Sequence, residues 1–134
     1  MILLDTSFII AFYSEVDKNH KKARELMKRI VVKEFGDLFI SDYIIDEVAT
    51  GLLKKTGITE TVRICGELLE SAYLLTIDEA LFYNSLDLFK KQKNTLLSFT
   101  DCSNVAVMDY RGIKNLAAFD DDFKSVKSIN LISV

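Results

Sequence analysis

Residues 1–13 read MILLDTSFIIAFY: an apolar run, then Asp5-Thr6-Ser7, then a second apolar run. A carboxylate set between two such runs costs several kcal/mol if it is buried without partners. Four apolar residues are enough for a buried strand, and an acid placed straight after them can cap a short helix over residues 6–13. A strand that passes at once into a helix is the opening of a β-α unit. The function of Asp5 then depends on what the rest of the chain brings to the end of that strand.

The same alternation continues. Residues 17–33 place Ala23, Leu26, Met27 and Ile30 on one helical face and lysines and arginines on the other. DLFI, residues 37–40, reads as a buried strand, and Ser41 as the N-cap of a helix that ends at Gly57. Thr59 is the expected cap of the next helix, through residue 71. YLLTI (73–77) is a third strand, 78–94 a long helix, 100–112 another, LAAF (116–119) a fourth strand and INLISV (129–134) a fifth. Short apolar strands separated by helices predict a three-layer α/β/α sandwich with a mostly parallel central sheet of four to five strands.

With 134 residues and no linker, repeat or proline, the chain reads as a single domain, 1–134. Its hydrophobic content of 49% leaves an apolar surplus suited to self-association, and a homodimer is expected. Cys65 and Cys102 have neither metal-ligand spacing nor a disulfide framework, so a reducing, cytoplasmic setting is expected. No positive leader region and no apolar run of about 18 residues is present, so neither secretion nor a membrane span is indicated. The net charge of -3 argues against a general nucleic-acid coat protein, while leaving room for a local basic surface.

In open parallel sheets, ligands bind beyond the carboxyl ends of the strands. Asp5 ends the first strand, Asp120 ends the fourth in AAFDDDF, and Asp101 opens a helix in SFTDCSNVAVM. Glu47 lies inside the helix DYIIDEVATGLL, with Gly51 one turn on leaving space beside it. Each acid has an ordinary use: Asp5 as a cap, Glu47 as a solvated helix residue, Asp101 as a first-turn acid, Asp120–Asp122 as a turn. Their convergence, with no nucleophile–histidine pair and no glycine-rich phosphate loop, points elsewhere. Four close carboxylates repel by roughly 4 kcal/mol per pair at 4 Å with an effective dielectric near 20. A divalent cation relieves that repulsion, and all-oxygen ligands favour Mg2+ or Mn2+.

These residues carry a resemblance to the PIN-domain ribonucleases, especially the small stand-alone VapC-like toxins. It extends over essentially the whole chain: Asp5-Thr6-Ser7 after the first strand, Glu47-Val48-Ala49 with Gly51, Thr100-Asp101 at a late helix start, and Phe119-Asp120 with Phe123 near the end. The resemblance implies a metal-dependent endoribonuclease with Asp5, Glu47, Asp101 and Asp120 as catalytic acids and metal ligands, Asp5 and Asp101 foremost. Ser7 would orient them, and Asn104, three residues after Asp101, would add a polar contact. A toxin of this kind would have an antitoxin partner.

The chemistry expected of such a site is hydrolysis of an RNA phosphodiester by a cation-activated water, with no side-chain nucleophile. Lys54, Lys55 and Lys21, with Lys22 and Arg24, are candidates to hold substrate phosphates, and the KKQK tract at 90–93 belongs to the same class. His20, the one histidine, is expected at the surface. Three other readings compete. A haloacid-dehalogenase-like phosphatase also has an aspartate after its first strand, but needs an acid two residues later, where Ser7 stands; a receiver domain needs a phosphoacceptor after the third strand, which Asp78 only faintly imitates. A non-catalytic PIN-like module for RNA or protein interaction keeps the fold without the chemistry.

Overall fold

The computed structural model describes residues 1–133; Val134, the last residue of the expected fifth strand, lies outside the described residues. Five strands, β1 (Ile2–Leu4), β2 (Leu38–Ser41), β3 (Tyr73–Leu75), β4 (Asn115–Ala117) and β5 (Asn130–Ile132), form one sheet in the order β3-β2-β1-β4-β5. Every pairing is parallel. The sheet is therefore wholly rather than mostly parallel, as short strands joined through helices require.

Among the described residues six α-helices cover it: α1 (Thr6–Tyr13), α2 (His20–Val31), α3 (Asp42–Thr56), α4 (Ile58–Ser71), α5 (Glu79–Lys90) and α6 (Phe99–Arg111). From β1 the chain steps outward to β2 and β3, then returns across β2 and β1 to β4. Right-handed crossovers in opposite directions put their helices on opposite faces. The packing agrees: α1 contacts α2 and α3, α3 contacts α4, and α5 contacts α6. The strand order reverses between β1 and β4, so the crevice for a ligand opens at the carboxyl ends of those two strands.

The central strand β1 is fully buried at Ile2, Leu3 and Leu4, and the core continues through Phe8, Ile40, Ile44, Leu116 and Phe123. Helix α6 is buried continuously from Asp101 to Met108, so polar residues on it need internal partners.

Several element ends differ from the periodicity. Helix α2 begins at His20 because Asp17 accepts from the Asn19 N–H (2.7 Å) and holds a turn. Helix α4 is entered through Gly57, at φ 81°, with no side-chain cap, so Thr59 does not cap it. Helix α5 stops at Lys90, because the Gln92 side chain folds the chain back: its Oε1 accepts from the Leu97 N–H (2.8 Å) and its Nε2 donates to the Leu97 carbonyl (2.9 Å). The strands at 73–77 and 116–119 are shorter than their apolar runs.

Ser41 caps α3 as expected, its hydroxyl accepting from the Ile44 N–H at 3.2 Å in a buried setting. Ser41→Ala should cost about 1 kcal/mol. Thermal melting should register this as a loss of roughly 3–5 °C, and an unchanged melting point would remove the cap from the list of stabilising contacts.

Candidate active site

Asp5 sits just past β1, only 3% exposed, and caps α1. Its Oδ2 accepts from the Ser7 N–H at 2.9 Å and from the Ser7 hydroxyl. Its Oδ1 accepts from the Asn104 Nδ2 at 3.0 Å, inside the protein and across 99 positions of sequence. Three donors satisfy the carboxylate without any positive charge beside it. Burial, and next the charge of Glu47, push its pKa up from the ordinary carboxylate value, against the Ser7 hydrogen bonds, which lower it.

Ser7 does more than orient Asp5. Its Oγ also accepts from the Phe119 N–H at 3.0 Å, tying the end of β1 to the segment after β4, one residue before Asp120. The two strand ends that flank the crevice are thus joined through one hydroxyl.

Asp101 stands in the first turn of α6, 9% exposed, in a capping box with Ser98. The Ser98 N–H donates to its Oδ2 (2.8 Å), and its own N–H donates to the Ser98 Oγ (3.0 Å). Burial pushes its pKa up to about 6, with Asp5 and Asp120 adding negative potential. Asp120 is partly exposed and caps a short 3-10 helix, Asp121–Ser125, accepting from the Asp122 N–H at 2.9 Å. Glu47, half-buried on α3, accepts from the Thr6 hydroxyl at 2.8 Å.

The acids influence one another pairwise, Asp5 with Glu47, Asp101 with Asp5 and with Asp120. They do not form a closed cage: among the described residues no three His, Cys, Asp or Glu side chains are gathered tightly enough to hold a metal ion. Each peripheral acid commits one oxygen to a local partner. The second oxygens, Glu47 Oε2, Asp101 Oδ1 and Asp120 Oδ2, receive no hydrogen bond among the described residues. One further acceptor lacks a partner, the buried Oδ1 of Asn104. This set of hard, anionic oxygens suits Mg2+ or Mn2+ in chemistry.

Thr6 and Ser98 complete the site beyond the residues expected in it. The Ser-x-x-Asp spacing at 98–101 is a readable capping-box signature. The Thr6–Glu47 contact joins two helices far apart in sequence and has no such signal. Gly51 is exposed, and a β-carbon there would meet only Ile10 Cδ1, at 3.6 Å in ordinary contact. His20 is partly exposed, with its Nδ1 2.8 Å from the Ala11 carbonyl oxygen.

Lys54, Lys55 and Lys21 are exposed and take no part in an ion pair among the described residues. Lys54 follows Glu47 by seven residues on α3, hence on the same helical face about 10 Å along the axis. Lys55 points away from that face by nearly a quarter turn. Lys21 belongs to the first turn of α2. No helix among the described residues is long and apolar enough to cross a membrane.

The comparisons with known proteins fit this geometry. The family model described as PIN domain matches residues 2–129. The fold is similar to that of VapC20 of Mycobacterium tuberculosis, a toxin that cleaves the sarcin-ricin loop, with a TM-score of 0.86, 24% identity and full coverage of both chains. A toxin–antitoxin complex from Klebsiella pneumoniae matches with a TM-score of 0.73 and 18% identity over 98% of this chain and 97% of that one. VapBC2 of Rickettsia felis, bound to a DNA fragment from its promoter, gives 0.71 and 14%, with 96% of each chain covered. No curated protein matches the chain by sequence.

Proposed function

The chain belongs to the PIN-domain family, and from that premise we propose that it is a divalent-metal-dependent endoribonuclease, the toxin of a toxin–antitoxin pair, acting in the cytoplasm as a single domain. The observation that supports the reading is that four acids, Asp5, Glu47, Asp101 and Asp120, influence one another pairwise near the strand ends where the order reverses, two of them with raised pKa values. Buried carboxylates with no cationic partner are costly to keep ionised unless a ligand uses them.

In this reading Asp5, Glu47, Asp101 and Asp120 hold Mg2+ or Mn2+. Bound there, the ion lowers the pKa of a water and offsets charge on the phosphoryl oxygens. The protein does the rest. Asp5 is fixed in place by Ser7 and Asn104, and Asp101 by Ser98, so the two acids meet the ion without first losing side-chain freedom. Glu47 and Asp120, both partly exposed and each with one carboxylate oxygen free of hydrogen bonds among the described residues, would supply the remaining acidic ligands. Lys54 lies on the face of α3 that leads to Glu47 and steers the RNA backbone toward the acids, with Lys55 and Lys21 at the margin. A phosphatase of the haloacid-dehalogenase type is not supported, since Ser7 supplies no second acid.

A homodimer is proposed through the exposed apolar face of α5, where Phe82, Tyr83 and Phe89 are each at least 38% exposed. Light scattering should return twice the mass of the chain at micromolar concentration, and Phe82→Asp should halve it; a monomeric parent would rule the dimer out. For the antitoxin, the likeness to solved toxin–antitoxin complexes is the support, and co-expression with the product of the adjacent gene is the check.

The test of the nuclease is direct. Purified protein with Mn2+ or Mg2+ should cut structured and single-stranded RNA, and chelator should stop it. Cleavage that persists in chelator would contradict the metal requirement, and no cleavage under any condition would favour the non-catalytic interaction module.

A further inference from the structure

Asn104 is 0% exposed on a helix that is buried throughout its middle turns. Its side chain makes one hydrogen bond, from Nδ2 to Asp5 Oδ1, and its Oδ1 is the buried side-chain atom without a partner among the described residues. Turned over, the amide would lose the Nδ2 bond and set its oxygen against a carboxylate whose other oxygen already accepts from Ser7. A leucine of similar size would fill the position with no polar cost, so an asparagine here is expensive unless both ends of the amide are used. It also lies three residues from Asp101, on the same side of α6.

We propose that Asn104 is a positioning residue of the acidic site. Through Nδ2 it fixes the Asp5 carboxylate, and through Oδ1 it accepts a hydrogen bond from a water in the hydration shell of the bound divalent cation. The choice of residue type is explained by the same role. A lysine or arginine would hold Asp5 as firmly but would repel the ion, whereas an amide donates without charge and leaves the whole negative charge of Asp5 available. The inference rests on the reading of the four acids as a cation site.

Titration of the protein with Mn2+, the free ion followed by electron paramagnetic resonance, tests it in the parent, Asn104→Leu and Asn104→Asp. Loss of a group that orients a ligand weakens metal binding by about 10–100-fold, and Asn104→Leu should show that loss while keeping its helical circular dichroism. Asn104→Asp sets a second carboxylate against Asp5 in place of the donor. It should melt below the parent in chelator, and Mn2+ should raise its melting point by more than it raises the parent's. A purely structural asparagine would lower melting in both variants without these opposite metal responses. Mn2+ affinity of Asn104→Leu within twofold of the parent would overturn the proposal and leave the cation site standing; a parent that binds no Mn2+ would overturn both. Should Asn104→Leu fail to fold, a parent-like Mn2+ response in Asn104→Asp overturns it instead.

Discussion

Asp101→Asn should lower the rate of Mn2+-dependent RNA cleavage by about three orders of magnitude or more, equivalent to about 4 kcal/mol of transition-state stabilisation. The substitution changes almost nothing else. An asparagine oxygen can still accept from the Ser98 N–H, so the capping box that starts α6 survives. What disappears is the negative charge on an oxygen that receives no hydrogen bond among the described residues, and with it one of the acids that would hold the ion. Asp5→Asn should lose as much activity. Single-turnover rates on end-labelled RNA measure both, with circular dichroism as the control for folding. Full activity in the two variants would end the assignment of these acids to catalysis.

In chelator the same Asp101→Asn protein should be more stable than the parent. The pKa of Asp101 rises from 3.8 to about 6 on folding. A group whose pKa is higher in the folded state binds more protons there, so its contribution falls as pH rises between those two values. Above pH 6.5 the parent therefore carries the full cost of an ionised, buried Asp101, on the order of 2 kcal/mol, and asparagine removes it. The melting point in chelator should rise by roughly 5–10 °C at pH 7.5, and the difference between variant and parent should shrink toward zero as pH falls to 4. Mn2+ should then stabilise the parent and close the gap by mass action. A merely structural Asp101 predicts the reverse sign, a variant that melts lower at neutral pH with no metal response. Asp5 is a poorer choice for this comparison, because the NH2 of an asparagine there would oppose a donor on either side, Asn104 Nδ2 or the Ser7 N–H and hydroxyl.

Much of the fold was legible in the sequence because its strands are apolar runs of a few residues bounded by polar caps, and β1 shows this most plainly, fully buried before the acid. The ends of elements were less legible where a side chain overrode periodicity. Gln92 cuts α5 short by folding the chain back on itself, and Gly57 starts α4 with backbone conformation alone. Asp5 and Asp120 could be placed at one end of the sheet because each follows a strand of a parallel sheet, and the structure pairs those two strands. The partners of the acids could not. The Asn104–Asp5 and Ser7–Phe119 bonds join residues 99 and 112 positions apart, and only the packed sheet brings them together. Asn104 was visible as a polar residue one helical turn from Asp101, but its unpartnered oxygen was not.

The cation-dependent role of the acids is tested most directly by the single-turnover cleavage rate of one RNA measured as a function of Mn2+ concentration, in the parent and in Asp101→Asn. The parent's rate should start from zero in chelator and rise to saturation, and the variant's should stay near zero through the parent's saturating range. A parent rate independent of Mn2+, or one that the variant reproduces at the same concentrations, would contradict it.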